Sequence, residues 1–116
     1  IVMFVDIEQI RAHIRQGNLT VSPHALIEAK KDGISPKTAQ LLEEVALYGE
    51  IIEDYPERHR CLIYHEVVIE RFKIPVHIVL EYEFVDEPAI VTAYVPDNQW
   101  IVSRKRAKRK KGKRRK

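Results

Sequence analysis

The spacing of apolar positions changes once along the chain. From Asp6 to Tyr48 they recur every three or four residues, and from Glu50 to Val95 they alternate. This change predicts helices followed by strands. Asp6 with Gln9 three residues on resembles a capping box, and Ile7, Ile10 and Ile14 share one helix face, so a first helix is expected over 6–16, stopped by Gly17-Asn18. Leu19-Thr20-Val21 reads as an extended link. Ser22 then Pro23 is an N-cap followed by proline at the first helical position, and Gly33 sits where a left-handed C-terminal cap belongs. A second helix over 23–32 follows from these signals. Ser35-Pro36 repeats the start signal, and Thr38, Leu41, Leu42, Val45 and Tyr48 make the stripe of a third helix over 36–48, ended by Gly49.

Four strands are predicted next: Glu50–Tyr55, Arg60–Ile69, Pro75–Phe84 and Ala89–Val95. In the third, Val76, Ile78, Leu80, Tyr82 and Phe84 share a core face, opposite His77, Val79, Glu81 and Glu83. In the second, Cys61, Ile63, His65, Val67 and Ile69 are the more apolar set. In the fourth, Ala89, Val91, Ala93 and Val95 alternate with Ile90, Thr92 and Tyr94. The helices should cover the core face, leaving His77, Glu66, Glu81, Glu83, Thr92 and Tyr94 on the outer one. Trp100 is expected to pack back on the sheet edge. The fold class is therefore α+β, with N-terminal helices on one face of a four-stranded antiparallel sheet in a single domain over 1–103.

Charge divides the chain in two. The overall net charge is +3, but Arg104, Lys105, Arg106, Lys108, Arg109, Lys110, Lys111, Lys113, Arg114, Arg115 and Lys116 supply 11 of the 20 bases and no acid. The body, 1–103, keeps 9 bases against 17 acids, or −8. A basic tail of this density points to a polyanion, with nucleic acid ahead of an anionic membrane because no amphipathic apolar stripe accompanies it. The other reading is that the tail lies on its own acidic body. No apolar run approaches the roughly 18 residues of a membrane span. With Cys61 as the one cysteine, no internal disulfide forms, and a reducing cytoplasmic setting is the simplest expectation.

Candidate chemistry centres on His24. It falls in the first turn of the second helix, on the polar stripe with Glu28, Lys31 and Asp32, away from Ala25, Leu26 and Ala29. A His–Glu pair at i and i+4 can hold one tautomer and raise the imidazole's basicity, as general acid–base work requires. The same pattern also describes an ordinary solvated helix face. His59, Cys61, His65 and His77 lack the close pairing of zinc ligands, so no metal and no cofactor is expected. Cys61, mid-strand on the core face, reads as a buried structural thiol.

Ser22-Pro23-His24-Ala25 with Gly33-Ile34-Ser35, then Gly49–Pro56, then Pro75-Val76-His77-Ile78-Val79, then Thr92–Asp97 with Trp100, together resemble the domain-of-unknown-function family numbered 4258. The resemblance covers about Thr20 to Trp100. That family is similar in outline to the RelE/ParE toxins, many of which cut messenger RNA without metal. It implies that His24 and the Thr92/Tyr94 strand occupy the polar positions of a catalytic site, with Glu28 and Lys31 beside them. The family's helix usually carries arginine four residues after the histidine and just before the glycine, where this chain has Glu28 and Asp32. Metal-free RNA cleavage draws on cations around the phosphate. Three functions follow: an RNA-favouring nucleic-acid-associated protein, a ribonuclease toxin using His24 with an antitoxin-like protein partner, or a non-catalytic interaction module with an acidic sheet face.

Overall fold

The computed structural model describes residues 6–97. Three helices, α1 (Ile7–Arg15), α2 (Pro23–Lys31) and α3 (Thr38–Tyr48), pack on a sheet of β1 (Thr20–Val21), β2 (Glu50–Tyr55), β3 (Arg60–Ile69), β4 (Phe72–Glu81) and β5 (Ala89–Tyr94). The α+β class stands. The sheet, however, has five strands in the order β1-β5-β4-β3-β2 and is mixed, where four antiparallel strands were expected. The extra strand is the predicted link: Thr20 and Val21 pair parallel with Ala89 and Ile90. Two residues are too short to show alternation, so the sequence carries no signal for it. Trp100 and the basic tail lie outside the described residues. No helix among the described residues is long and apolar enough to cross a membrane.

Local signals explain the helix starts. Ser22 Oγ accepts the Ala25 N–H at 3.0 Å, and the Asp6 side chain accepts the N–H of Glu8, while the Gln9 N–H goes to the Asp6 backbone carbonyl. The third helix starts two residues later than expected, at Thr38, without a side-chain cap at Lys37. Thr38 instead donates its hydroxyl to Ile34 O at 2.8 Å. Thr38, Leu42, Val45 and Ala46 are its buried face, while Tyr48 is 65 % exposed.

The core lies between the helices and one sheet face. Ile10, Ile14, Ala25, Ala29, Leu42 and Val45 meet Ile63, Val67, Val76, Ile78, Leu80, Ile90 and Ala93, all fully or almost fully buried. The β3/β4 register sets Cys61 opposite Leu80 and Ile63 opposite Ile78, as the alternation requires. Three expectations fail here. β4 begins at Phe72, so Pro75 lies inside the strand rather than at its start. It is tolerated because β5 pairs only with His77 to Glu81, so no ladder bond is asked of its missing N–H on that side. β4 also ends at Glu81, which leaves Phe84 63 % exposed instead of in the core. In β5 a bulge lies between the Thr92–Val79 and Ile90–Leu80 pairs. It inserts Val91, so Ile90 and Ala93 face the core rather than the alternating set Ala89, Val91, Ala93 and Val95.

Arg11 joins α1 to the end of α3. Its Nε donates to Ala46 O at 2.9 Å and its Nη2 to Gly49 O at 2.7 Å, which satisfies carbonyls at the helix C-terminus and sets a cation against the negative end of the dipole. Gly49 is required by close approach rather than by dihedral, since its φ is −79°. A Cβ there would lie 2.6 Å from both Tyr64 O and Val45 O, and 2.5 Å from Ile63 Cγ2. Gly49→Ala is therefore expected to lower stability by about 1–3 kcal/mol, because two of the three obstacles are backbone and cannot rotate away. A urea midpoint equal to wild type would contradict this account.

Candidate functional site

The site is built on the edge of β5 that faces away from β4. β1 covers only the beginning of that edge. Ser22 extends it, donating its N–H to Ile90 O at 2.9 Å and its hydroxyl to Val91 O at 3.3 Å. From there α2 takes over. Ala93 N–H donates to Glu28 Oε1 at 3.2 Å, and Val95 N–H donates to Asp32 Oδ2 at 2.9 Å. The fit is geometric. Four residues of helix rise about 6 Å, close to the roughly 6.8 Å between alternate residues of a strand. Two carboxylates at i and i+4 thus stand in for the carbonyls of a missing neighbour strand. The sequence placed Glu28 and Asp32 on a polar stripe. Glu28 in fact keeps only 12 % of its side chain exposed.

His24 stands one turn before Glu28. Its Nε2 lies 3.4 Å from the same Oε1 that receives the Ala93 N–H, and 68 % of its side chain is open to solvent. Glu28 therefore orients the imidazole while it holds α2 on the sheet. Lys31 is exposed, one turn beyond Glu28. Thr92 and Tyr94 flank Ala93, so their side chains leave on the outer face. The structure brings His24, Glu28 and the β5 backbone together, but the Tyr94 ring is 6 % exposed and belongs to a different set of contacts.

That set forms a row across the sheet, Glu50–Tyr64–His77–Tyr94, one residue from each of β2 to β5. His77 is fully buried at its centre, edge-on to Tyr64 at 5.9 Å and to Tyr94 at 5.4 Å between ring centroids. Burial pulls the His77 imidazole down to about 4, against the opposing pull of the Asp97 charge. Burial also pushes the Tyr94 phenol up to about 12, with the charges of Glu53 and Asp97 adding to it. At neutral pH the His77 and Tyr94 rings of this row are uncharged and supply no cation to a phosphate. Alternation placed His77 and Tyr94 on one face, but their alignment depends on the Val91 bulge and was not readable.

The remaining candidates disperse. The Cys61 thiol is buried and pushed up to about 12 by that burial and by Asp54, against a smaller contrary effect of Arg11, so it is not a thiolate nucleophile at neutral pH. His65 Nε2 lies 3.2 Å from Glu44 Oε2. His59, with φ 55°, closes the 3-10 turn Pro56–Arg58, and its carbonyl accepts the Tyr82 N–H at 2.8 Å. Among the described residues no three His, Cys, Asp or Glu side chains are grouped to hold a metal ion.

Residues 21–102 match the family described as Domain of unknown function (DUF4258). The chain belongs to that family. No curated protein and no solved structure matches it. The DUF4258 region runs from the end of β1 through β5 and holds His24, Glu28, Lys31, His77, Thr92 and Tyr94. It leaves out α1, whose Arg11 fastens the end of α3, and the whole of the Arg104–Lys116 segment.

Proposed function

We propose that this DUF4258 chain is a nucleic-acid-associated protein of RelE/ParE-like fold, RNA being favoured, that works in the cytoplasm and takes its polyanion affinity from Arg104–Lys116. The observation that carries this reading is the charge division: 11 cations and no acid in that segment, on a body of −8. Helices covering one face of the sheet support the fold reading, and the RNA preference rests on it. An antitoxin-like protein partner fits the same reading. Neutralising several phosphates releases their counterions, so affinity falls as salt rises. Ending the chain at Ser103 is expected to weaken binding to single-stranded RNA by at least about tenfold and to flatten its salt dependence. Stability should hardly change, since Ala107 is the one apolar side chain in the segment. Unchanged binding after truncation would overturn the reading.

A second reading, a metal-independent endoribonuclease, is favoured by one observation: the 3.4 Å pairing of His24 with Glu28 on a solvent-open helix turn. In it His24 moves the proton, Glu28 orients it, and Lys31, Thr92 and Tyr94 lie nearest the phosphate. Glu28 and Asp32 are already engaged with β5, and the near cation is Lys31, so transition-state charge has little to meet it. If the chain cleaves RNA, His24→Ala should lower the rate by about 10²-fold with folding intact, the usual scale of a general acid–base contribution. Absence of metal-independent cleavage by wild type would leave the binding reading alone.

A further inference from the structure

β3 is longer than its neighbour. β2 pairs with Arg60 to Tyr64 and goes no further, because the chain before Glu50 turns away into α3. From His65 to Ile69, β3 pairs with β4 on one side, and among the described residues no strand covers the other. An open groove of about 560 Å³ runs along this edge, lined by Tyr48, Glu50, Tyr64, Glu66, Val68 and Lys73. Two of its walls are apolar side chains left to solvent, Tyr48 at 65 % and Val68 at 61 %. On the far side of Tyr48 the depression continues past Glu43, Glu44 and Leu47. Four carboxylates thus surround one exposed aromatic ring, opposed by Lys73 and by His65, which faces Glu44 at 3.2 Å. The slot has a strand edge that no described strand pairs, open to an extended backbone, apolar surface for aliphatic stems, and acids and a ring face for cationic heads.

We propose that this groove docks the chain's own Arg104–Lys116 segment. Charge complementarity is one argument, since the segment carries 11 of the chain's 20 bases. Reach is the other. β5 ends in the row Tyr94–His77–Tyr64–Glu50, which leads directly to the groove. Crossing it spans three inter-strand spacings, about 14 Å, whereas the chain from Asp97 to Arg104 extends to roughly 23 Å. The segment then divides its time between the acidic groove and an external polyanion, so that the body competes with RNA for its own cations. The docking rests on the groove and not on the RNA reading.

Zero-length carbodiimide coupling in the full chain, mixed from isotopically light and heavy protein, tests this directly. Amide links from Lys105, Lys108, Lys110 or Lys111 to Glu43, Glu44, Glu50 or Glu66 are expected within single chains. Links confined to carboxylates elsewhere, such as Glu83 and Glu87, or found only between light and heavy copies, overturn the proposal. Tyr48→Ala with Val68→Ser keeps every carboxylate and should reduce the groove links about threefold through loss of the ring and stem contacts. An unchanged yield would mean diffuse attraction and would also overturn it. Adding a saturating single-stranded RNA oligonucleotide should suppress the links. If they persist, docking stands and the RNA reading falls, whereas RNA binding without groove links supports the RNA reading and overturns the docking.

Discussion

Replacing Glu28 and Asp32 together by alanine is expected to destabilise the protein by roughly 2–6 kcal/mol, because each removes the acceptor of a sheet N–H at about 1–3 kcal/mol apiece. The N–H groups concerned are those of Ala93, which is buried, and Val95, which is half-buried. They lie two residues apart on one strand and one helix closes over both, so the two losses should couple rather than simply add. Glu28→Gln with Asp32→Asn keeps one carbonyl oxygen at each place and should retain more than half of the stability. His24→Ala, which removes an exposed ring, should leave the urea midpoint near wild type. A double alanine variant within about 0.5 kcal/mol of wild type, the range of an ordinary surface change, would show that α2 does not close the β5 edge. The result bears on function as well. Arginine offers five donors and no acceptor, so an arginine at either place leaves the N–H group it faces uncapped. In this chain the acidic choice at Glu28 and Asp32 is tied to the sheet edge, and it takes positive charge away from the surroundings of His24.

The parts of the fold that could be read beforehand are those with local punctuation. Ser22-Pro23 and Gly33 bracketed α2 to within a residue, and Ile63, Ile78 and Leu80 declared the core face by alternation alone. What escaped depends on partners far along the chain. Thr20-Val21 becomes a strand because Ala89 and Ile90 lie beside it. Pro75 sits inside β4 because β5 stops short of it. Val91 is an extra residue only when counted against Val79 and Leu80. The candidate site shows the same limit. A helical wheel separates polar from apolar positions, but it does not say whether a polar side chain at the boundary meets water or a strand edge. Glu28 and Asp32 meet the edge, and His24 meets water. His77 could be placed on the outer face, yet its burial between Tyr64 and Tyr94 required the register of three strands.

Stability is expected to fall by about 2 kcal/mol between pH 7 and pH 5 through His77 alone, of a total of order 3 kcal/mol once the acid limit is reached. Folding keeps this imidazole neutral, at about 4 instead of its ordinary 6.5, chiefly because burial between the aromatic rings disfavours the cation. Below 6.5 the unfolded chain takes up a proton that the folded chain refuses until about 4. The unfolded state then binds more protons, so the stability is fully present above the unfolded value and drains as pH falls through this window. Asp97 moderates the loss, since its charge favours the imidazolium. Most carboxylates titrate lower, which leaves the interval from pH 7 to pH 5 to the histidines. His77→Phe keeps a ring between Tyr64 and Tyr94 and removes the titration, so its stability should fall less than that of wild type over the interval, whatever its absolute value. Urea unfolding of both proteins at the two pH values decides the matter, and equal slopes would show that His77 is not the buried base. A confirmed slope also constrains the chemistry, because an imidazole that stays neutral down to pH 5 holds β3, β4 and β5 together as an aromatic wall. Any cation offered to RNA at neutral pH must then come from elsewhere in the chain, and Arg104–Lys116 is where the cations are concentrated.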